Sequence, residues 1–260
     1  MILAIDIGNS SIMLGVFDGD RLTSKGKLST ARGRSADEYA ALMMCIFEKN
    51  KVDTARFDGA ILLSVVPSLT HVISDALASF KIKPIIVGAG IKTGLNIRTE
   101  TPGTLGTDIV AGTVAAMRIS KPPLIVADLG TATTLTAINQ KEELCGCIIA
   151  PGAKISLDAM TEACSQLNDI ALSQPKALLG KNTAESINSG VVMGNAIMLD
   201  GFIRKIKAEY GFDESTTVIA TGGLSALIVP LCESKIQCEP DLTLHGLNYL
   251  YLLNKNKVKQ

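Results

Sequence analysis

The chain of 260 residues has no tryptophan, few aromatic residues of any kind and only two histidines, His71 and His245, which disfavours a histidine-rich metal centre. It also has no net charge, because 25 Lys and Arg balance 25 Asp and Glu, so no overall field would attract nucleic acid or an anionic membrane. No apolar run approaches the roughly 20 residues of a membrane span, and Met1 leads directly into a strand-like segment rather than a basic leader. These absences predict a cytoplasmic protein without nucleic-acid or membrane partners.

The cysteines show no paired C-x-x-C spacing of the kind that binds zinc. Cys145-x-Cys147 is too short for the usual half-site, and strand alternation would put both thiols on one face. The sequence therefore predicts reduced, mostly buried thiols rather than metal ligands at Cys45, Cys145, Cys147, Cys164, Cys232 and Cys238.

One short motif occurs twice, each time between an apolar strand and a second β-rich run. The first copy is Asp6-Ile7-Gly8-Asn9-Ser10 and the second is Asp128-Leu129-Gly130-Thr131, an offset of 128 − 6 = 122 residues. Asp-x-Gly alone is ordinary turn chemistry. Its recurrence in one context favours a shared role, because two strand-borne carboxylates and two small-residue turns around one cleft would suit a nucleotide's phosphates and their metal.

Strand-type and helix-type runs alternate along both halves, which predicts an α/β protein. Ser35-x-x-Glu38 is a capping box that starts a helix over 36–50. A buried strand over 218–221 enters the turn Gly222-Gly223. Pro122 and Pro123 link a predicted N-terminal lobe, 1–119, to a predicted C-terminal lobe, 120–260.

Two glycine-bearing segments imitate other nucleotide motifs. Gly180-Lys181-Asn182-Thr183 resembles a Walker loop, but Pro175 stands where its first glycine is required. Residues 88–94 space their last glycine one position too far for a dinucleotide fingerprint. Neither P-loop nor Rossmann chemistry is supported.

In order, these motifs resemble the actin, sugar-kinase and Hsp70 superfamily and, more closely, the type III pantothenate kinases. The resemblance runs nearly the whole chain and implies two similar lobes of ribonuclease-H-like fold with a central ATP cleft. It implies phosphorylation of pantothenate to 4′-phosphopantothenate by ATP, the first step of coenzyme A biosynthesis, in a homodimer. The segments that carry it are 6–10, 64–67, 93–95, Pro102, 105–108, 128–134, 150–152, 180–183, 189–190 and 221–223.

The resemblance also implies roles for individual residues. Asp108 would be the general base for the substrate's primary hydroxyl, Asp6 would hold Mg²⁺, and Asp128 would bind a monovalent cation, K⁺ or NH₄⁺. Backbone N–H groups of the small turns would approach phosphate oxygens. The implied ATP contacts are Asp6, Ile7, Gly8, Asn9, Ser10, Ser11, Ile12, Met13, Gly130, Thr131, Gly222 and Gly223. The implied substrate contacts are Thr99, Gly106, Thr107, Asp108, Ile109 and Thr183, with Thr183 reaching toward the partner's site.

Alternatives remain at several positions. Asp108 and Thr183 would each also suit a helix cap. Ile109 stands where the family has an Arg expected to meet the substrate's carboxylate, Thr99 where it has Tyr, Met13 where Lys is common, and Asn168 where Leu-Pro is usual. A divergent kinase for another primary alcohol and an inactive nucleotide-binding regulatory paralogue therefore stay open beside the pantothenate kinase.

Overall fold

The structure, a computed structural model, describes residues 1–164 and 170–257, so Asn168 lies outside the described residues. Two units pack separately, each on its own mixed β-sheet. Unit 1 contains Met1–Gly94, Thr101–Ala115 and the segment that begins at Leu242, and unit 2 contains Leu95–Glu100 and the described parts of Ala116–Asp241. No helix within these described ranges is long and apolar enough to span a bilayer.

Unit 1 is built on a five-stranded sheet in the order β3-β2-β1-β4-β5. The first three strands are antiparallel, and β4 and β5 continue the sheet in parallel. The strands are β1 (Ile2–Ile7), β2 (Ser11–Asp18), β3 (Arg21–Ser29), β4 (Gly59–Ser64) and β5 (Pro84–Ile86). The helices are α1 (Ala36–Lys49), α2 (Pro67–Ala78), α8 (Leu242–Asn254) and α3 (Thr107–Ile119), of which unit 1 holds the residues up to Ala115.

The central strand β1 is buried on both faces, since Leu3, Ala4 and Ile5 have no exposed surface. This explains its continuous apolar run, which is typical of strands covered by helices on both sides. The predicted capping box of α1 is confirmed, because Ser35 Oγ accepts from the Glu38 N–H at 3.3 Å and the Glu38 carboxylate accepts from the Ser35 N–H at 2.7 Å. The Ser35 backbone donor holds the pKa of Glu38 below its ordinary value.

Unit 2 repeats this arrangement. Its six-stranded sheet has the order β11-β10-β7-β8-β9-β6, with β7, β8 and β9 antiparallel and β10 and β11 added in parallel beside β7. The strands are β6 (Asn96–Ile97), β7 (Leu124–Leu129), β8 (Ala132–Ile138), β9 (Glu143–Pro151), β10 (Thr217–Thr221) and β11 (Gln237–Cys238). The helices are α4 (Ala153–Ala163), α5 (Thr183–Asn188), a π-helical segment (Ser189–Met193), α6 (Gly194–Tyr210) and α7 (Ser225–Ile228).

The repeated motif occupies equivalent places in the two sheets. Asp6 is the fifth residue of β1 and Asp128 the fifth residue of β7. Each strand has its antiparallel hairpin partner on one side and a parallel strand on the other. The offset seen in the sequence therefore corresponds to a duplicated fold.

The predicted lobes 1–119 and 120–260 differ from the two units in three places, because unit 2 takes Leu95–Glu100 and residues 116–119 and unit 1 takes the segment that begins at Leu242. Helix α8 packs on β1, β2 and β4 of unit 1. Glycines make its contacts close, because a Cβ added at Gly59 of β4 would overlap the Tyr251 side chain and one added at Gly246 would overlap the Ala111 carbonyl of α3. The hydrophobic face of the first sheet therefore recruits the last helix of the chain, which sequence order does not reveal.

The predicted burial of the cysteines is wrong. Cys45, Cys147, Cys164 and Cys238 are exposed, and the other two are partly exposed, although all six are free thiols as predicted. The predicted shared face of the two β9 thiols also fails. Pairing of β9 with β8 shifts register there and leaves Cys145 as an extra, bulged residue that packs on the unit 2 core, while Cys147 stays outside.

Candidate active site

The first candidate element is the turn between β1 and β2. The Gly8 N–H donates to the Ser11 carbonyl at 3.0 Å, so it closes the turn itself. Thr30 fixes the turn from the side, since its hydroxyl donates to the Gly8 carbonyl at 2.7 Å and its N–H donates to the Ser10 carbonyl at 3.2 Å. Asn9 and Ser10 are exposed. The result is a braced, exposed turn of small residues, a shape that presents backbone N–H groups to an anion.

The rest of the predicted ATP segment in unit 1 divides between core and surface. The side chains of Ile7 and Ile12 are fully buried, which leaves only their backbone for a ligand. Asp6, Ser11 and Met13 are partly exposed. Alternation along the two strands explains this division, because successive residues point to opposite faces of the sheet.

Asp108 lies in the first turn of α3. The Gly106 carbonyl accepts the first helical bond from the Val110 N–H at 3.1 Å, so Gly106 occupies the N-cap position and Thr107 is the first helical residue. The Asp108 carboxylate still accepts one helix donor, the Ile109 N–H, at 2.9 Å. Asp108 therefore helps to satisfy the helix terminus without being its N-cap residue, and it remains partly exposed.

Gly106 makes room for this carboxylate. A Cβ added at Gly106 would overlap Asp108 Oδ1 and lie 3.6 Å from Ile109 Cδ1. Ile109 is partly buried beside it. The carboxylate thus lies where a side chain at Gly106 would otherwise stand, and it is oriented by the backbone of its own helix.

Unit 2 brings its hairpin and the Gly222-Gly223 turn together. The parallel pairing of β10 with β7 places Thr221 opposite Asp128. Gly222 then turns away with φ +93°, and a Cβ added there would overlap Asp128 Oδ1 and lie 2.5 Å from the Leu129 carbonyl carbon. The Leu224 N–H donates to the Leu129 carbonyl at 3.0 Å. These contacts join residues 94 positions apart in the sequence (222 − 128).

Gly152 is a further component that was not among the predicted site residues. A Cβ added there would lie 2.5 Å from the Thr131 carbonyl and 2.6 Å from the Gly130 carbonyl, and its N–H donates to the Thr131 carbonyl at 3.2 Å. The sequence signal that could have found it is Pro151-Gly152, which ends β9 and begins α4. Gly152 supports the second turn from behind.

Two glycines of these turns, Gly130 and Gly223, have open space beside them. A Cβ added at Gly223 would meet no atom within 4 Å, and one added at Gly130 would meet Asp128 Oδ1 only at an ordinary 3.5 Å. The Gly130 N–H donates to the Ala132 carbonyl at 3.1 Å and closes its turn. Packing within the chain does not require glycine at 130 or 223, so the space beside the backbone is open at both positions.

Thr99 follows the short strand β6, which unit 2 holds firmly. Arg98 donates from Nε and Nη2 to Glu143 Oε1 at 2.9 and 2.8 Å, and its backbone N–H donates to the Leu144 carbonyl at 3.0 Å. The Asn139 side chain and Arg98 together lower the pKa of Glu143. Thr99 Oγ1 is buried and has no hydrogen-bond partner in the described chain. This segment therefore carries an unpaired hydroxyl on a fixed backbone.

Thr183 is the first residue of α5, and it is exposed. The N-cap of this helix is Asn182, whose Oδ1 accepts from the Glu185 N–H at 2.9 Å. The capping role considered for Thr183 is therefore wrong, because the preceding Asn already supplies the acceptor. Its hydroxyl lies outside the helix's own capping interaction.

The donor sets can be tested against the implied cations. No group of three or more His, Cys, Asp or Glu side chains is poised to hold a metal in the described parts of the chain. Asp6 supplies a hard carboxylate, which suits Mg²⁺ because that ion is usually held by one or two carboxylates together with substrate phosphates. Gly130 and Gly222 lie beside the Asp128 carboxylate, and a Cβ added at Gly222 would overlap Asp128 Oδ1. Asp6 therefore has the donor chemistry that Mg²⁺ prefers, whereas the cation at Asp128 stays a prediction.

Comparison with known proteins identifies the fold. The two sheets, each with three antiparallel strands extended by parallel ones, define the actin, Hsp70 and sugar-kinase fold class. A solved structure with this fold is the activator of the 2-hydroxyisocaproyl-CoA dehydratase from Clostridium difficile with bound ADPNP. It has 11% identity and a TM-score of 0.60, and the match covers 99% of this chain and 97% of that chain.

Sequence comparison gives the family. The model of the type III pantothenate kinase family matches residues 2–205. The chain is 39% identical over 256 residues to the type III pantothenate kinase of Geotalea daltonii, covering 98% of this chain and 99% of that protein. It is also 39% identical to that of Exiguobacterium sp., covering 98% of this chain and 100% of that protein. The chain belongs to the type III pantothenate kinase family.

Proposed function

We propose that this chain transfers the γ-phosphoryl group of ATP to the primary hydroxyl of pantothenate, giving 4′-phosphopantothenate and ADP for coenzyme A biosynthesis. The observation that carries the proposal is a partly exposed carboxylate, Asp108, at the start of α3 in a chain of this family. Its orientation is supported by the Ile109 N–H and by the space at Gly106.

Asp108 acts as the general base. Its carboxylate has a second oxygen besides the one that accepts from the Ile109 N–H, and that oxygen takes the hydroxyl proton as the substrate oxygen forms its bond to the γ-phosphorus. The bond from that phosphorus to the β,γ-bridging oxygen breaks, and ADP leaves. Positioning contributes most of the catalysis, since phosphoryl transfer needs little covalent help from the protein.

The two turns serve the nucleotide. In unit 1, Asn9 and Ser10 present the exposed part of the first turn, and Asp6 is the carboxylate for Mg²⁺. In unit 2, Gly130 and Gly223 allow phosphate and adenosine to approach the backbone. Asp128 holds the monovalent cation, K⁺ or NH₄⁺. Bound Mg²⁺ neutralises charge on the transferring phosphate.

The substrate end is the part that departs from the family. Pantothenate carries a carboxylate, and Ile109 offers it no charged donor. The exposed Thr183 hydroxyl and the unpaired Thr99 hydroxyl, whose buried oxygen substrate binding would have to uncover, are the groups we assign to the substrate's polar atoms. The apolar Ile109 is also the specific observation that favours a second candidate, a kinase for a primary alcohol without a carboxylate.

We propose a homodimer in which Thr183 reaches the partner's substrate. Support comes from two adjacent large apolar side chains exposed in unit 2, Leu178 and Leu179, the second of which is 82% exposed four residues before Thr183. Exposed apolar side chains near one element are typical of association surfaces. Light scattering of the wild type against Leu178→Glu/Leu179→Glu tests this, because a monomeric wild type would contradict it. A cytoplasmic location is likewise part of the proposal.

The deciding experiment measures ATP consumption by the purified chain with Mg²⁺ and K⁺ over pantothenate, its neutral amide and alcohol analogues, and no acceptor. Consumption that depends on pantothenate supports the proposal. Strong preference for the neutral analogues would replace pantothenate by another alcohol. No phosphorylation of any acceptor, together with retained ATP binding, would instead favour a regulatory nucleotide-binding protein.

A further inference from the structure

Gly112 has no structural reason to be a glycine. It lies in the middle of α3 and takes no left-handed conformation. Glycine inside a helix is destabilising by roughly 0.5–1 kcal/mol relative to alanine, because its backbone loses more freedom on folding. A Cβ added at this position would meet no heavy atom within 4 Å. The helix would therefore be more stable with alanine.

Gly112 is also buried, which sets it apart from the other buried glycines of the described chain. At Gly15, Gly59, Gly152 and Gly246, neighbouring atoms lie within 3.1 Å or less of an added Cβ. Gly112 alone of these five has no atom from another part of the chain within 4 Å of an added Cβ, so no packed neighbour fills the space that a side chain would take. Since interiors are otherwise close-packed, such a space is a candidate site for part of a ligand.

The position of this space relative to Asp108 indicates which ligand. Residues four apart on a helix lie on one face, separated by about 6 Å along its axis, so Gly112 lies one turn beyond Asp108 on the same face.

We propose that the space beside Gly112 receives the branched carbon next to the hydroxyl that Asp108 deprotonates, so that Gly112 determines the kinase's preference for a branched primary alcohol. This rests on the function proposed above. In pantothenate the reacting CH₂OH group is attached to a carbon that carries two methyl groups. These methyls are the bulkiest part of the substrate near the reacting oxygen, and a side chain at 112 would compete with them for the same volume. Gly112 is a specificity-determining residue and takes no part in proton transfer.

The test combines Gly112→Ala with two substrates, pantothenate and the analogue that lacks both methyl groups. The variant should fold, and its Tm should rise by about 1–4 °C because alanine favours the helix. Its kcat/KM for pantothenate should fall about tenfold or more, the usual effect of one misplaced methyl-sized group in a pocket. Its kcat/KM for the unbranched analogue and its KM for ATP should stay at the wild-type values.

Gly201→Ala in α6 is the matched control. Gly201 also lies inside a helix and also has no atom within 4 Å of an added Cβ, but it belongs to unit 2 and is only partly buried. It should gain similar thermal stability with no change in the ratio of the two kcat/KM values. A gain in Tm at both positions with a change of selectivity at 112 alone supports the proposal.

A folded Gly112→Ala that keeps the wild-type ratio of kcat/KM for the two alcohols refutes the inference, whether both values stay unchanged or both fall equally. In either case a wild type that phosphorylates pantothenate leaves the proposed function intact. If the wild type phosphorylates neither alcohol, the proposed function fails and the inference fails with it.

Discussion

Replacing Gly222 by alanine tests the close contact between the turn that follows β10 and the end of β7, at Asp128 and Leu129. The native φ of +93° is a conformation that side chains resist, at a cost of about 1–2 kcal/mol. The new Cβ would also be forced against Asp128 Oδ1 and to 2.5 Å from the Leu129 carbonyl carbon, and overpacking of this kind costs about 1–3 kcal/mol. The sum predicts a loss of about 2–5 kcal/mol, together with displacement of the Asp128 carboxylate.

Gly223→Ala is the control in the same turn. No atom lies within 4 Å of its added Cβ, so the free energy of unfolding should change by less than about 0.5 kcal/mol. Its KM for ATP should nevertheless rise, because the methyl group would occupy the space assigned to the nucleotide.

Urea unfolding followed by circular dichroism, with steady-state KM for ATP, measures both effects. The reasoning is refuted if Gly222→Ala unfolds at the wild-type urea concentration, or if the two variants lose equal stability. A Gly223→Ala enzyme with wild-type KM for ATP would contradict the proposed contact between this turn and the nucleotide.

Three further predictions concern single side chains. Asp108→Asn should keep the fold and ATP binding but lower kcat by about 10²–10⁴-fold in a coupled ADP assay. Near-normal turnover would exclude the general-base role and limit Asp108 to its hydrogen bond at the start of α3. Replacing K⁺ by Na⁺ should lower wild-type activity if Asp128 holds the larger ion, and indifference to the cation removes that assignment. Ile109→Arg should lower KM for pantothenate by supplying a fork-shaped donor for its carboxylate, whereas a rise in KM would place the carboxylate elsewhere.

The last prediction concerns pH. Burial, followed by the nearby charge of Asp200, raises the pKa of Cys232 to about 12. Because only the thiolate is nucleophilic, alkylation of Cys232 at pH 8 should be at least about 100-fold slower than that of an ordinary thiol and should rise until pH 12 is approached. Mass spectrometry of iodoacetamide-treated protein gives the rate, and labelling of Cys232 as fast as the exposed Cys45 would contradict the raised pKa.

Local chemistry explains what the sequence could predict. The capping box at Ser35 and Glu38 depends on residues three apart, and the structure confirms it. The strand that ends in Gly222-Gly223 was likewise readable from a short apolar run. The fold class, which the resemblance carried by the ordered motifs implied, is confirmed by the two sheets and by the solved structure that they match.

Contacts between distant residues explain what it could not predict. Nothing in the local sequence shows that Gly222 leaves room for Asp128, since parallel pairing of β10 with β7 creates that contact. The bulge at Cys145 depends on its pairing with β8. The supporting position of Gly152 depends on the path of β9. The roles assigned to the site residues stay predictions, because they concern ligands.

The docking of α8 on the first sheet bears on how the protein is made. Most of unit 1 precedes unit 2 in the chain, yet the part of its sheet that packs against α8 is covered only when α8, which ends at Asn254, has been synthesised. From Ala115 to Asn254 is 139 residues (254 − 115), which take about 7–28 s at about 5–20 residues per second. During that interval the apolar face that α8 will cover has no permanent partner, whereas unit 2 is complete at Asp241. Unit 1, most of which is synthesised before unit 2, therefore completes its fold after unit 2. Its partly covered sheet is the part of the nascent chain that chaperones have most need to protect.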